Sequence, residues 1–122
     1  MNQLRIFAIK SRKFVVAVNP ENGETGVFIQ TKEGLFHTLV EKGRLSEWLG
    51  LFKQLAGGVP SAVLHYFSFV ETRFESDKVV LECKYFPFLD KLFVAKFSYD
   101  EADEIVHELW SARGFLDGMR AT

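Results

Sequence analysis

The sequence predicts an α+β fold: a strongly twisted antiparallel sheet of seven or eight strands with two amphipathic helices on it, in a ββββα-(β)βββα tandem repeat. Three observations carry this expectation. Four short apolar runs parted by turn signals fill the first forty residues. The apolar spacing then becomes helical between Leu45 and Leu55. The same order of strands followed by a helix returns after Pro60. The 122 residues are read as a single domain over 1–122, with one repeat over 4–58 and a second over 62–114.

Each element has a local reason. Leu4–Ile9 and Lys13–Asn19 are apolar and rich in β-branched residues, and Ser11-Arg12 parts them. The second run alternates, with Phe14, Val16 and Val18 on one face. Pro20 and Asn22-Gly23 form a strong turn signal. Gly26–Thr31 is the third strand, Lys32-Glu33-Gly34 the next turn, and Leu35–Val40 the fourth strand. Leu45, Trp48, Leu49, Phe52 and Leu55 then make one apolar helical stripe, capped near Ser46 and stopped by Gly57-Gly58. Gly50 inside this helix is expected to let backbone approach the sheet closely.

In the second half, Val63–Phe74 is extended and long enough to kink into two strands. Val79–Phe86 and Leu92–Phe97 are further strands. The second helix starts at a Ser98 or Asp100 cap, gathers acids in its first turns, and is closed by Arg113 and Gly114. Ala102, Ile105, Leu109 and Ala112 form its buried stripe, with Val106 and Trp110 beside it.

Composition narrows the function. A chain of this length hides roughly two-thirds of its unfolded surface, so a core needs neither disulfide nor metal. With 48% hydrophobic and 25% charged residues the chain is not disordered. The longest apolar runs are too short to span a bilayer, and no signal peptide is read at the N-terminus. The single cysteine, Cys83, suits a reducing compartment, so an intracellular location (cytoplasmic, or nuclear or nucleoid) is expected. Phenylalanine is overabundant, at 13 residues, which implies a Phe-rich core or rings left exposed for a ligand or partner. The net charge of −1 gives no global attraction to polyanions. Residues 1–58 nevertheless carry eight Lys/Arg against five Glu, whereas residues 59–122 carry seven against eleven acids.

The run IKSRKFVVAVNPENGETGVFIQT, followed by a polar turn, a strand and GRLSEWLGLFKQLAGG, resembles a repeat of the Pur-alpha-like single-stranded nucleic-acid-binding proteins. The matching pieces are Lys10-Ser11-Arg12-Lys13-Phe14, Gly26-Val27-Phe28-Ile29 and Trp48-Leu49-Gly50-Leu51-Phe52. The two-repeat plan is also similar to that of the Whirly proteins, which bind single-stranded DNA. The resemblance covers residues 5–58; over 62–114 it rests on topology alone. It implies that single-stranded DNA or RNA lies across the outer sheet face, with basic residues on phosphates and aromatic rings on bases. It carries over Lys10, Arg12 and Lys13 at the first turn, with Phe28 and Lys32 on the third strand. It also points to a homodimer.

Read from the residues alone, Lys10–Lys13 is either a phosphate contact or a solvated turn. Phe28 is either a stacking ring beside Gln30 and Lys32 or a core residue under the next helix. In the second half Lys84 and Phe86 share a strand face, with Arg73 on the preceding strand, while Glu71, Glu75 and Glu82 would repel a phosphate. No enzyme, metal or cofactor is expected. His37, His65 and His107 lack ligand spacing, and Cys83 has no CxxC partner. The acids at 100–104 are what a helix dipole favours. The competing expectation is a protein–protein interaction or dimerisation module whose exposed Phe residues form the interface.

Overall fold

The computed structural model describes residues 3–32, 34–40, 45–56, 62–65, 68–75, 77–85 and 90–120. The fold class is α+β, but the expected single sheet of seven or eight strands does not form. The strands divide into two separate sheets. Sheet A has the order β1 (Arg5–Ala8), β2 (Phe14–Val18), β3 (Thr25–Thr31), β4 (Gly34–Val40). Sheet B has the order β5 (Ala62–His65), β6 (Ser68–Glu75), β7 (Lys78–Tyr85), β8 (Asp90–Ser98). All pairings are antiparallel between chain neighbours. Short connections favour this, since a hairpin closes little loop entropy.

The helices do not sit on two copies of one unit, so the tandem-repeat reading is corrected as well. α1 (Leu45–Ala56) has 12 residues and α2 (Tyr99–Arg120) has 22. α1 lies against β5 and β6, whereas α2 crosses to β1 and β2 while also touching β7 and β8. Neither half of the chain closes a core alone.

Phe14 stands at the centre of that shared core. Its ring lies 6.3 Å from Trp48, 5.6 Å from Phe52 and 6.4 Å from Phe97, so it touches α1 and both sheets. Val16, Val18, Val27 and Ile29 from sheet A join it, with Val79, Leu81 and Ala95 from sheet B. The α1 stripe of Leu45, Trp48, Leu49 and Phe52 is buried, as are Ala102, Ile105, Leu109 and Ala112 on α2.

Several local expectations change. Ser46 is the second residue of α1, not its cap, and the preceding residues lie outside those described. Gly50 has no neighbour within 4 Å of where a Cβ would stand, so it serves no close approach. Trp110, beside the buried stripe, is left 56% exposed, with the Lys53 Nζ 4.6 Å above its ring. Arg113-Gly114 does not close α2, which runs on to Arg120. The reason is tertiary: Phe115 packs at 6.1 Å on Phe7, the Arg5 guanidinium reaches both rings, and Leu116 and Met119 pack against the core. That burial outweighs the roughly 1 kcal/mol that a helical glycine costs.

Open space around Gly50 and Gly114 gives a direct test. Gly50→Ala and Gly114→Ala should each raise stability by about 0.5–1 kcal/mol, read as a higher urea midpoint with an unchanged slope. A lower midpoint for either would mean that the added methyl meets a neighbour, and would overturn this expectation.

Candidate nucleic-acid interface

The first turn is tight. The Arg12 N–H donates to the Ile9 carbonyl at 2.9 Å, and Arg12 adopts a left-handed φ of 61°. This turn is not simply solvated, because it docks on the start of α2. The Lys10 backbone N–H donates to Glu104 Oε1 at 3.1 Å, the Ser11 hydroxyl to Glu101 Oε2 at 2.7 Å, and the Lys13 ammonium to Glu101 Oε1 at 3.4 Å.

Glu101 is also half of a capping box. The Ser98 N–H donates to its Oε1 at 2.9 Å, and its own N–H donates to Ser98 Oγ at 3.1 Å. Burial alone would raise the Glu101 carboxyl. The Ser98 amide, the Ser11 hydroxyl and Lys13 outweigh it and hold the group below its ordinary value of 4.5. Lys13 is thus partly neutralised, whereas the Lys10 and Arg12 side chains are exposed and make no ion pair among the described residues.

Strand parity arranges the outer face of sheet A. Phe28 is flanked by Val15 on β2 and His37 on β4. The next row toward the Lys32 turn sets Gln30 against Leu35, and the Gln30 N–H donates to the Lys13 carbonyl at 2.8 Å. Phe28 is not a core residue under a helix. It is half-buried on the open face and stacks on His37 at 5.2 Å and 13°. Its ring leans back over Gly26, where a Cβ would come within 3.1 Å of it. A hollow of about 160 Å³ opens here, with Leu4, Ala17, Phe28, His37 and Leu39 among its walls.

Where β3 meets β8 the surface deepens into a cleft of about 290 Å³, lined by Lys13, Gln30, Thr31, Lys32, Val94, Ala95 and Lys96. Two of the three ammonium groups are already engaged: Lys13 with Glu101, and Lys96 with Glu75 at 3.1 Å. Lys32 is exposed and forms no ion pair among the described residues. Of the sequence-derived candidates, the cleft brings together Lys13 and Lys32, with Phe28 on the adjoining face. Lys96 was not singled out; on sequence alone it is one charge in an apolar run, and only the approach of β8 to β3 gives it neighbours.

The second-half candidates fall differently. Arg73 holds a register position opposite Val80, which in turn faces Lys96, so all three share one row of sheet B. Lys84 lies at a register shift between Phe69 and Lys91. Phe86 lies outside the described residues. Glu82 is buried, and Glu71 holds the register position opposite it.

Among the described residues no group of three or more His, Cys, Asp or Glu side chains could hold a metal ion. None of the described helices is long and apolar enough to cross a membrane. Comparison with protein-family models, with curated proteins and with solved structures finds no match in any of the three.

Proposed function

We propose that the chain is a non-catalytic, intracellular binder of single-stranded DNA or RNA that works along the outer face of sheet A and into the β3–β8 cleft. The observation that carries this reading is the adjacency of an accessible ring stack, Phe28 on His37, to a cleft edged by Lys13, Lys32 and Lys96. Base-on-ring stacking and phosphate neutralisation are the two contacts that hold single strands without reading their sequence. The resemblance of residues 5–58 to Pur-alpha-like repeats supports the same reading. With Glu101 on Lys13 and Glu75 on Lys96, the cations left without an ion pair among the described residues are Lys32 in the cleft and Lys10 and Arg12 on the first turn.

Fluorescence anisotropy of labelled oligo(dT) and oligo(U), at low and at high salt, tests it. The parent chain should bind both in a salt-sensitive way and prefer them to duplex. Lys32→Glu/Lys96→Glu should weaken binding at least tenfold at low salt. Phe28→Ala should weaken it by a comparable factor with a smaller change in salt slope. Absence of binding at low salt, or an unaffected lysine double variant, would remove this function.

A second reading, the interaction module, is favoured by one specific observation. Leu4, Ile6, Leu35 and Leu39 are 46–64% exposed, and register puts all but Leu4 on the face that carries Phe28. That much exposed aliphatic surface on one side marks a contact surface. Association through it would persist at high salt.

A further inference from the structure

The two edges of sheet A are not alike. β1 is four residues long and opens with the charged Arg5. β4 is seven residues, GLFHTLV, with neither charge nor proline. Proteins ordinarily blunt an exposed edge with lysine, proline, a bulge or shortness, because its unpaired amides and carbonyls template another strand. β4 has none of these protections, and no strand covers its outer edge among the described residues.

Backbone parity says which groups that edge offers. Gln30 donates toward β2, and alternate residues of a strand point the same way, so Phe28 also turns its amide and carbonyl to β2. Its partner on β4, His37, therefore turns its own amide and carbonyl outward, as do Leu35 and Leu39. These three residues are symmetric about His37, with a leucine two positions on either side.

We propose that β4 pairs antiparallel with the β4 of a second copy of this chain, about a two-fold axis through His37, fusing two A sheets into one. Of the registers the edge allows, this one engages all three outward residues: His37 with the partner's His37, and Leu35 with the partner's Leu39 in both directions. Such pairing forms about six interchain hydrogen bonds. It leaves the Leu39 carbonyl a lone pair beside the Thr38 hydroxyl that already donates to it at 3.3 Å. Leucine meets leucine on the outer face, so the exposed Leu35 and Leu39, at 64% and 57%, each gain an apolar neighbour. Because the axis is perpendicular to the sheet, the Phe28–His37 stacks of the two chains fall into a single row roughly 14 Å long, three strand spacings. The pairing does not depend on what the outer face binds.

Sedimentation velocity of the full chain at tens of micromolar, in moderate and in high salt, should give twice the 14.0 kDa chain mass. Leu35→Lys/Leu39→Lys puts like charges opposite each other and should raise the dimer dissociation constant at least tenfold. Its thermal unfolding should stay near that of the parent at low concentration, because both side chains are exposed. A cysteine scan in a Cys83→Ser background tests the register. His37→Cys should cross-link to itself under mild oxidation, because paired Cα atoms about 5.5 Å apart lie within disulfide reach. Leu35→Cys should not, since its own copy lies roughly 13 Å away along the strand. The lysine pair keeps Cys83 and stands if the scan background folds poorly. A monomer throughout, a dimer that survives the lysines, or self-linking at Leu35 as readily as at His37 would each overturn the proposal.

Discussion

Phe14→Ala should cost about 3–5 kcal/mol, roughly a third to a half of a typical domain's stability. Phe14 has no exposed surface, and its ring meets Trp48, Phe52 and Phe97. Its removal deletes contacts to α1 and to both sheets at once, and no single neighbour can collapse into the space. Phe14→Leu, which keeps most of the volume, should cost about 1.5 kcal/mol or less. Phe28→Ala serves as the contrast: on the open face it should lower stability by less than about 1 kcal/mol while weakening oligonucleotide binding. Urea titration followed by tryptophan fluorescence reads all three. If Phe14→Ala and Phe28→Ala shift the midpoint equally, the assignment of inner and outer faces in sheet A is wrong.

Glu101→Ala carries the second-largest expected effect, about 2 kcal/mol, or roughly 8 °C in melting temperature. The substitution removes the return bond of the capping box to the Ser98 N–H, the acceptor of the Ser11 hydroxyl and the partner of Lys13. Glu101→Gln keeps an acceptor for the Ser98 amide but loses the charge, so it should cost about half as much. The pH dependence has a definite sign. The folded-state carboxyl titrates below its ordinary value of 4.5, so its contribution is full above that value and drains away as pH falls through the lower folded value. Between pH 7 and pH 5 the difference between parent and Glu101→Ala should be constant, and below about pH 4.5 it should shrink. Thermal melts across that range decide it; a difference that grows with acid would contradict the bonding described.

How far the sequence leads depends on whether the deciding interaction is local. Turn chemistry at Asn22-Gly23 and the alternation of Phe14, Val16 and Val18 act within a few residues, and the first hairpins follow from them. The helical stripes at Leu45–Phe52 and Ala102–Ala112 are of the same kind. Division into two sheets is different. Alternating strands carry no mark of which sheet they join, and one continuous sheet satisfies the same pattern. Arg113-Gly114 is a good local stop for α2, but Phe7 and Arg5, which hold Phe115 in place beyond it, lie more than 100 residues away. The candidate site was legible in part for the same reason. Lys32 and Phe28 are visible from one strand. The neutralisation of Lys13 by Glu101, across 88 residues, and the arrival of Lys96 are facts of tertiary structure.

The crossing of α2 onto β1 and β2 has a consequence for how the molecule is made. When residue 58 leaves the ribosome, the strands of sheet A can pair, yet the surface that α2 will cover still faces water. At typical elongation rates the rest of the chain needs roughly 3–13 s to follow. During that interval the nascent half displays Phe7 without Phe115 beside an open β4 edge, a state prone to mispairing with other nascent chains. Slower elongation lengthens this exposure and faster elongation shortens it, and it ends only when α2 reaches β1 and β2.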